Sequence, residues 1–182
     1  MSVEPSHAGA SERQLDFRPG MDMRWEVTRS TADTGGEMFE ATNWIGAHMP
    51  GPPEHVHPSA EESYAVVEGA LDVCVDGEWR TVRKGETAVV PAGVPHTLRT
   101  TEPVQIVNIH RPALQFESFL RDLQKLIEQG KIKRLPPKEP RSAIYAAMLF
   151  TKYPNEIRVT KPPSGAFKAL ALVGRTLRFK ID

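Results

Sequence analysis

Residues 55–69 read HVHPSAEESYAVVEG, and residues 85–96 read GETAVVPAGVPH. In an extended chain, residues two apart point to the same side, so the imidazoles of His55 and His57 can reach one ion. Glu62 stands at the head of the strand-like run SYAVVEG and can add a carboxylate oxygen once the chain turns back beside the first strand. His96 closes the second stretch and can complete the set from a third strand. Strand parity separates Glu62 from Glu61: Glu62, Tyr64 and Val66 share one face, and Glu61 shares the other with solvent. The expected metal ligands are His55, His57, Glu62 and His96, and Glu62 is also the candidate catalytic base. For His7, His48 and His110 the expectation is an exposed or hydrogen-bonded side chain with no ion.

Working outward, short strand-like runs separated by turn residues predict an all-β barrel or sandwich. The expected strands are 23–28, 38–47, 63–68, 71–75, 79–83, 87–90, 96–100 and 104–110. Asp76-Gly77, between LDVCV and EWRTV, is the best hairpin signal, because this pair tolerates the positive φ values of a type I′ turn. The pattern then changes. In FESFLRDLQKLIEQG, Phe116, Phe119, Leu120, Leu123 and Ile127 recur at helical spacing, with Gly130 as the stop. Further helices are expected around 143–151 and 166–177, the last with Ser164 as N-cap. The expected organisation is a mobile leader over 1–12, a barrel over 13–112 and a helical extension over 113–182.

The 23 basic and 23 acidic residues of the 182 cancel, which disfavours a general polyanion binder. The cancellation hides a segregation: residues 131–182 hold 12 Lys and Arg against 3 Asp and Glu, leaving 11 against 20 over residues 1–130. The basic extension is expected to pack on an acidic barrel, in its own chain or a second subunit. No nucleic-acid motif accompanies it. The single cysteine, Cys74, excludes an internal disulfide framework and a cysteine zinc cluster. No apolar run is long enough for a membrane helix, and the polar, acid-bearing start is unlike a secretory signal. The expected setting is cytoplasmic, with neither a nucleic-acid nor a membrane partner.

Written as spacing, the chain reads H55-x-H57-x4-E62-x6-G69, then G85-x5-P91-x-G93-x2-H96. This resembles the two motifs of the cupin family, a small jelly-roll-like β-barrel in which two histidines and a glutamate from the first motif and a histidine from the second hold one metal. Two positions depart from the family pattern. Met49 stands where the first motif usually opens with glycine, with Gly51 nearby, and Thr100 stands where the second usually closes with asparagine.

Three imidazoles and a carboxylate suit iron, manganese, nickel, cobalt, copper or zinc; Fe(II) is the favoured expectation. A six-coordinate ion with four protein ligands keeps two positions for water, dioxygen or a bidentate substrate. The resemblance implies dioxygenases of the quercetinase type, isomerases, decarboxylases or proteins that only bind small molecules. We expect an Fe(II)-dependent, dioxygenase-like enzyme acting on a small oxygen-chelating substrate, with a metallated binding or sensing module as the alternative. Parity places Tyr64, Thr100 and Asn108 as candidate pocket residues. Trp25, Phe39, Trp44 and Trp79 are expected to fill the barrel or meet a second copy. The resemblance also implies a homodimer.

Overall fold

A computed structural model describes residues 12–18, 20–161 and 163–181. The expected leader, apart from Glu12, and His7 within it lie outside the described residues. The strands are β1 (Gln14–Asp16), β2 (Met23–Arg29), β3 (Phe39–Ile45), β4 (His55–Val56), β5 (Glu61–Glu68), β6 (Ala70–Val75), β7 (Glu78–Arg83), β8 (Thr87–Val90), β9 (His96–Arg99) and β10 (Val104–Arg111). Helices α1 (Phe116–Glu128) and α2 (Pro140–Lys152), strand β11 (Arg158–Val159) and helix α3 (Ser164–Thr176) follow. The strands form two antiparallel sheets, in the orders β1-β2-β3-β10-β5-β8 and β11-β4-β9-β6-β7.

Alternation builds the interior. In β3, Phe39, Ala41, Asn43 and Ile45 are buried and the residues between them are not, and β10 repeats the pattern from Val104 to His110. The two sheets close on a core of Tyr64, Val66 and Ile106 from one and Leu71, Val73 and Val82 from the other. Asp76 and Gly77 have φ of 50° and 83°, the positive pair that the β6–β7 hairpin requires. Gly51 has φ of 73°, and a Cβ there would collide with the Leu98 carbonyl. Only glycine lets the loop before β4 lie this close to β9.

Beyond the sandwich, β1, β2 and β3 carry their inner face under the helices. Leu15, Phe17, Trp25, Val27 and Phe39 form one core with Phe116, Phe119, Leu120 and Leu123 of α1 and with Tyr145 and Leu149 of α2. The extension thus packs on its own barrel through apolar side chains. Its basic residues, from Lys133 to Lys180, are almost all exposed. Its ion pairs join mainly its own residues, such as Lys152 with Asp122 at 2.7 Å. Exposed pairs contribute about 0–1 kcal/mol each, whereas burying one large apolar side chain contributes about 1.5–3 kcal/mol. Apolar burial therefore docks the extension. At α3, Pro163 occupies the N-cap and Ser164 is already the first helical residue, so the helix starts one position earlier than an N-cap at Ser164 would place it.

Candidate metal centre

β4, β5 and β9 bring His55, His57, Glu62 and His96 together, all buried, with one donor atom from each lying within 4.8 Å of the others. His55 and His96 are register partners across β4 and β9. Tight turns hold the arrangement: the Gly93 N–H donates to the His57 carbonyl at 2.8 Å, which ties the loop before β9 to the first ligand strand.

Each imidazole is oriented through Nδ1. His55 Nδ1 lies 2.8 Å from the Pro53 carbonyl, His96 Nδ1 3.0 Å from that of Val94, and His57 Nδ1 2.5 Å from that of Glu156. A carbonyl only accepts, so each Nδ1 carries a proton and each Nε2 presents its lone pair inward. Glu62 Oε2 lies 2.9 Å from His57 Nε2 and 3.0 Å from His96 Nε2. Lone pairs aimed at a carboxylate repel unless a cation, proton or metal, stands between them. The donor set therefore fits a divalent transition ion.

Titration behaviour agrees. Burial opposes ionisation of Glu62, but the adjacent His57 and His96 outweigh it and hold the carboxyl well below its usual range. Burial likewise opposes charge on His57, yet the Glu62 carboxylate raises its proton affinity. Burial, with His96 and His57 close by, pulls His55 down to about 3.

Glu62 is itself held. The Tyr64 hydroxyl donates to Oε2 at 2.7 Å, and Asn108 Nδ2 donates to Oε1 at 2.8 Å. Both side chains line a cavity of about 110 Å³ that opens above the histidines. Thr100 does not line it: its hydroxyl donates to the Gly46 carbonyl at 2.6 Å and accepts from the Met49 N–H at 3.0 Å. The Thr100 N–H returns a bond to the Met49 carbonyl, also 3.0 Å. The two departures from the family motifs thus bond each other and pin the loop before β4. Glu61 is exposed, as parity requires.

Other residues at the site escaped the sequence reading. His110 is fully buried, stacks on Phe116 with ring centroids 4.1 Å apart, and lies 4.5 Å from the His57 ring. Its Nδ1 lies 3.2 Å from the Pro112 carbonyl. The segment 153–160 crosses the ligand strand: Val159 pairs with His55, and the Thr160 N–H and hydroxyl reach Glu54. Phe116, Phe119, Phe150 and Ile157 roof the cavity. Asn43 lines it too; the alternation of FEATNWI already puts Asn43 on the face of Phe39, Ala41 and Ile45. Trp25 is cavity wall as well as core filling. Trp44 and Trp79 instead lie beneath Arg24 and Arg99, at 4.6 Å and 4.2 Å, on the outer surface.

Fold and site define a small β-barrel protein with an internal group able to hold a metal ion. Its barrel is a cupin domain, since residues 46–110 match the family model described as the cupin domain. Quercetin 2,3-dioxygenase of Bacillus subtilis is 36% identical over 64 residues, which are 35% of this chain and 19% of that protein. Protein SchB of Streptomyces halstedii is 35% identical over 89 residues, 48% of this chain and 62% of its own. Polyketide synthase CurC of Streptomyces cyaneus is 32% identical over 98 residues, 53% of this chain and 62% of its own. The chain therefore spans less than two thirds of each of these relatives. No described helix is long and apolar enough to cross a membrane.

Proposed function

We propose that the protein is a metal-dependent oxidoreductase of the dioxygenase kind, holding Fe(II) at His55, His57, Glu62 and His96. Its substrate is a small organic molecule that chelates the ion through adjacent oxygens. One observation carries the reading: three imidazoles with their Nδ1 atoms anchored converge with one carboxylate, and His55, His57 and Glu62 of that set line an apolar cavity. The 36% identity to a quercetin dioxygenase over 64 residues supports oxygen chemistry.

When bound, the ion supplies Lewis acidity and one-electron redox chemistry. The chain supplies the rest. Apolar walls from the barrel and α1 exclude bulk water. Glu62 is the only carboxylate among the described lining residues, so it is the group that takes a substrate hydroxyl proton, leaving a neutral acid and a substrate oxyanion. Burial, with the Glu62 charge beside it, pushes the Tyr64 phenol well above its usual 10.0, so Tyr64 acts as a fixed donor that orients Glu62. A metallated binding module, or a cupin isomerase or decarboxylase, is the alternative.

The test is oxygen uptake by the full chain reconstituted anaerobically with Fe(II), against a panel of diphenols, diketones and flavonols. Uptake with a small diphenol or diketone, lost in Glu62→Gln, is expected. Full iron occupancy with no uptake across the panel overturns the enzyme reading in favour of the alternative.

A further inference from the structure

The cavity is apolar except at a few points, and besides His57 Nε2, which faces Glu62, three polar atoms of its described wall have no partner. Trp25 Nε1, Asn43 Oδ1 and Asn108 Oδ1 are buried and make no hydrogen bond, and all three side chains line the cavity. Trp25 and Asn43 are 7% and 1% exposed. They are register partners on β2 and β3, which sets their side chains next to one another on the inner face. A buried polar group without a partner destabilises a fold, and such groups persist where a ligand completes them. Here the amide of Asn43 interrupts a row that is otherwise Phe39, Ala41 and Ile45.

The chemistry of the missing partner follows. An indole N–H only donates and an amide oxygen only accepts, so the group that satisfies both neighbours must accept and donate, as a neutral hydroxyl does. No lysine or arginine is among the described lining residues, which argues against a charged substituent at this end. Size narrows the choice further. A cavity of about 150 Å³ holds benzene, and this one is about 110 Å³. One ring is thus the most that it takes, and a three-ring flavonol does not fit.

We infer that Trp25 and Asn43 form a second anchor point, which selects a single-ring substrate bearing a neutral hydroxyl group apart from its metal-chelating oxygens. This rests on the metal-dependent reading above, because the chelating end is assigned to His55, His57, Glu62 and His96. Asn108 spans the two ends, since its Nδ2 holds Glu62 while its Oδ1 remains free for the ligand. These residues set specificity and position the ring; the proton-transfer group stays Glu62.

Two isosteric probes test the anchor: 4-(hydroxymethyl)catechol and 4-ethylcatechol, titrated calorimetrically into the full chain supplied with Zn(II), which does not oxidise them. Metal content is measured on the same samples. The hydroxymethyl probe is expected to bind about tenfold more tightly, the worth of one well-made hydrogen bond. In Trp25→Phe and Asn43→Leu the preference vanishes or reverses, because burying the methyl then wins. Asn43→Leu is also expected to keep or raise the melting temperature, since an apolar isostere replaces an unpaired amide.

Equal affinities in the unmodified protein, no binding of either probe, or an undiminished preference in both variants overturns the inference. So does a lowered melting temperature in Asn43→Leu, which marks a structural amide. Zinc bound without discrimination sinks the anchor alone. Discrimination without bound zinc sustains the anchor and sinks the metal reading beneath it.

Discussion

The floor and the roof of the cavity are built on opposite principles. The floor is polar and local: its four candidate ligands lie within 42 positions, from 55 to 96, and each is held by a hydrogen bond on the side away from the centre or, for Glu62, by Tyr64 and Asn108. The roof is apolar and distant, made by Phe116, Phe119, Phe150 and Ile157 from beyond the barrel. They meet at several points, two of which stand out. The Glu156 carbonyl holds His57 across 99 positions of sequence, and His110 stacks against Phe116. A ligand set can thus be complete in one motif pair while the orientation of one ligand depends on a segment far along the chain. Burial holds the roof, and charge complementarity holds the floor.

The largest effect should come from breaking the roof. Phe119 packs against Phe116, Phe150 and Tyr153 at centroid separations of 6.2, 5.8 and 5.8 Å. Phe119→Ala should lose about 3–5 kcal/mol by chemical denaturation. If roof and floor are coupled through Tyr153 and Glu156, metal affinity falls with it; unchanged affinity would mean the floor is self-sufficient.

The junction gives the next effect, read from acid and base limbs of a melting curve for metal-free protein. Burial, with His57 nearby, pulls His110 from 6.5 down to about 4. The unfolded chain therefore takes up a proton first as pH falls, and stability is lost from 6.5 down to about 4, on the order of 3 kcal/mol from this residue. Glu62 has a depressed value, so its contribution is present above its ordinary 4.5 and fades below it. His57 has the opposite sign: its raised value contributes below 6.5 and is lost as pH rises through the folded value. Stability should peak close to pH 6.5. A decline that starts only near 4.5 would show that His110 is not held neutral by the fold.

The smallest effect concerns the floor's own support. Tyr64→Phe removes the donor to Glu62 Oε2 and should weaken metal binding about tenfold, in the range typical of residues that orient ligands, with little change in fold. Competitive chelator titration reads this directly. An unaltered affinity would mean that Asn108 alone orients the carboxylate.

How much of this could be read from residues alone follows the same division. The grouping of His55, His57, Glu62 and His96 was legible because alternation and spacing are local: parity put Glu62 inside and Glu61 outside, although the ladder at β4 contains only His55 and Val56. Strand spans differed from the expected ones mostly by a residue or two, as at β5, which starts at Glu61. The two-residue β11 was not legible, because nothing within Arg158–Val159 marks a strand; its partner strand about 100 positions earlier, where Val56 pairs with Arg158 and His55 with Val159, creates it. Thr100 shared the right parity but lies past the end of β9, where the chain turns to Met49, so its hydroxyl serves the loop. The charge segregation pointed to the extension packing on the barrel, but by the wrong force, since the apolar face of α1 makes the contact.

The most direct measurement is elemental analysis of untagged protein beside its His57→Ala variant. One transition-metal ion per chain is predicted for the unmodified protein, and none for a His57→Ala variant whose circular dichroism shows the barrel intact. A protein that carries no metal and melts unchanged when one is added, or a variant with full occupancy, would contradict the centre of His55, His57, Glu62 and His96.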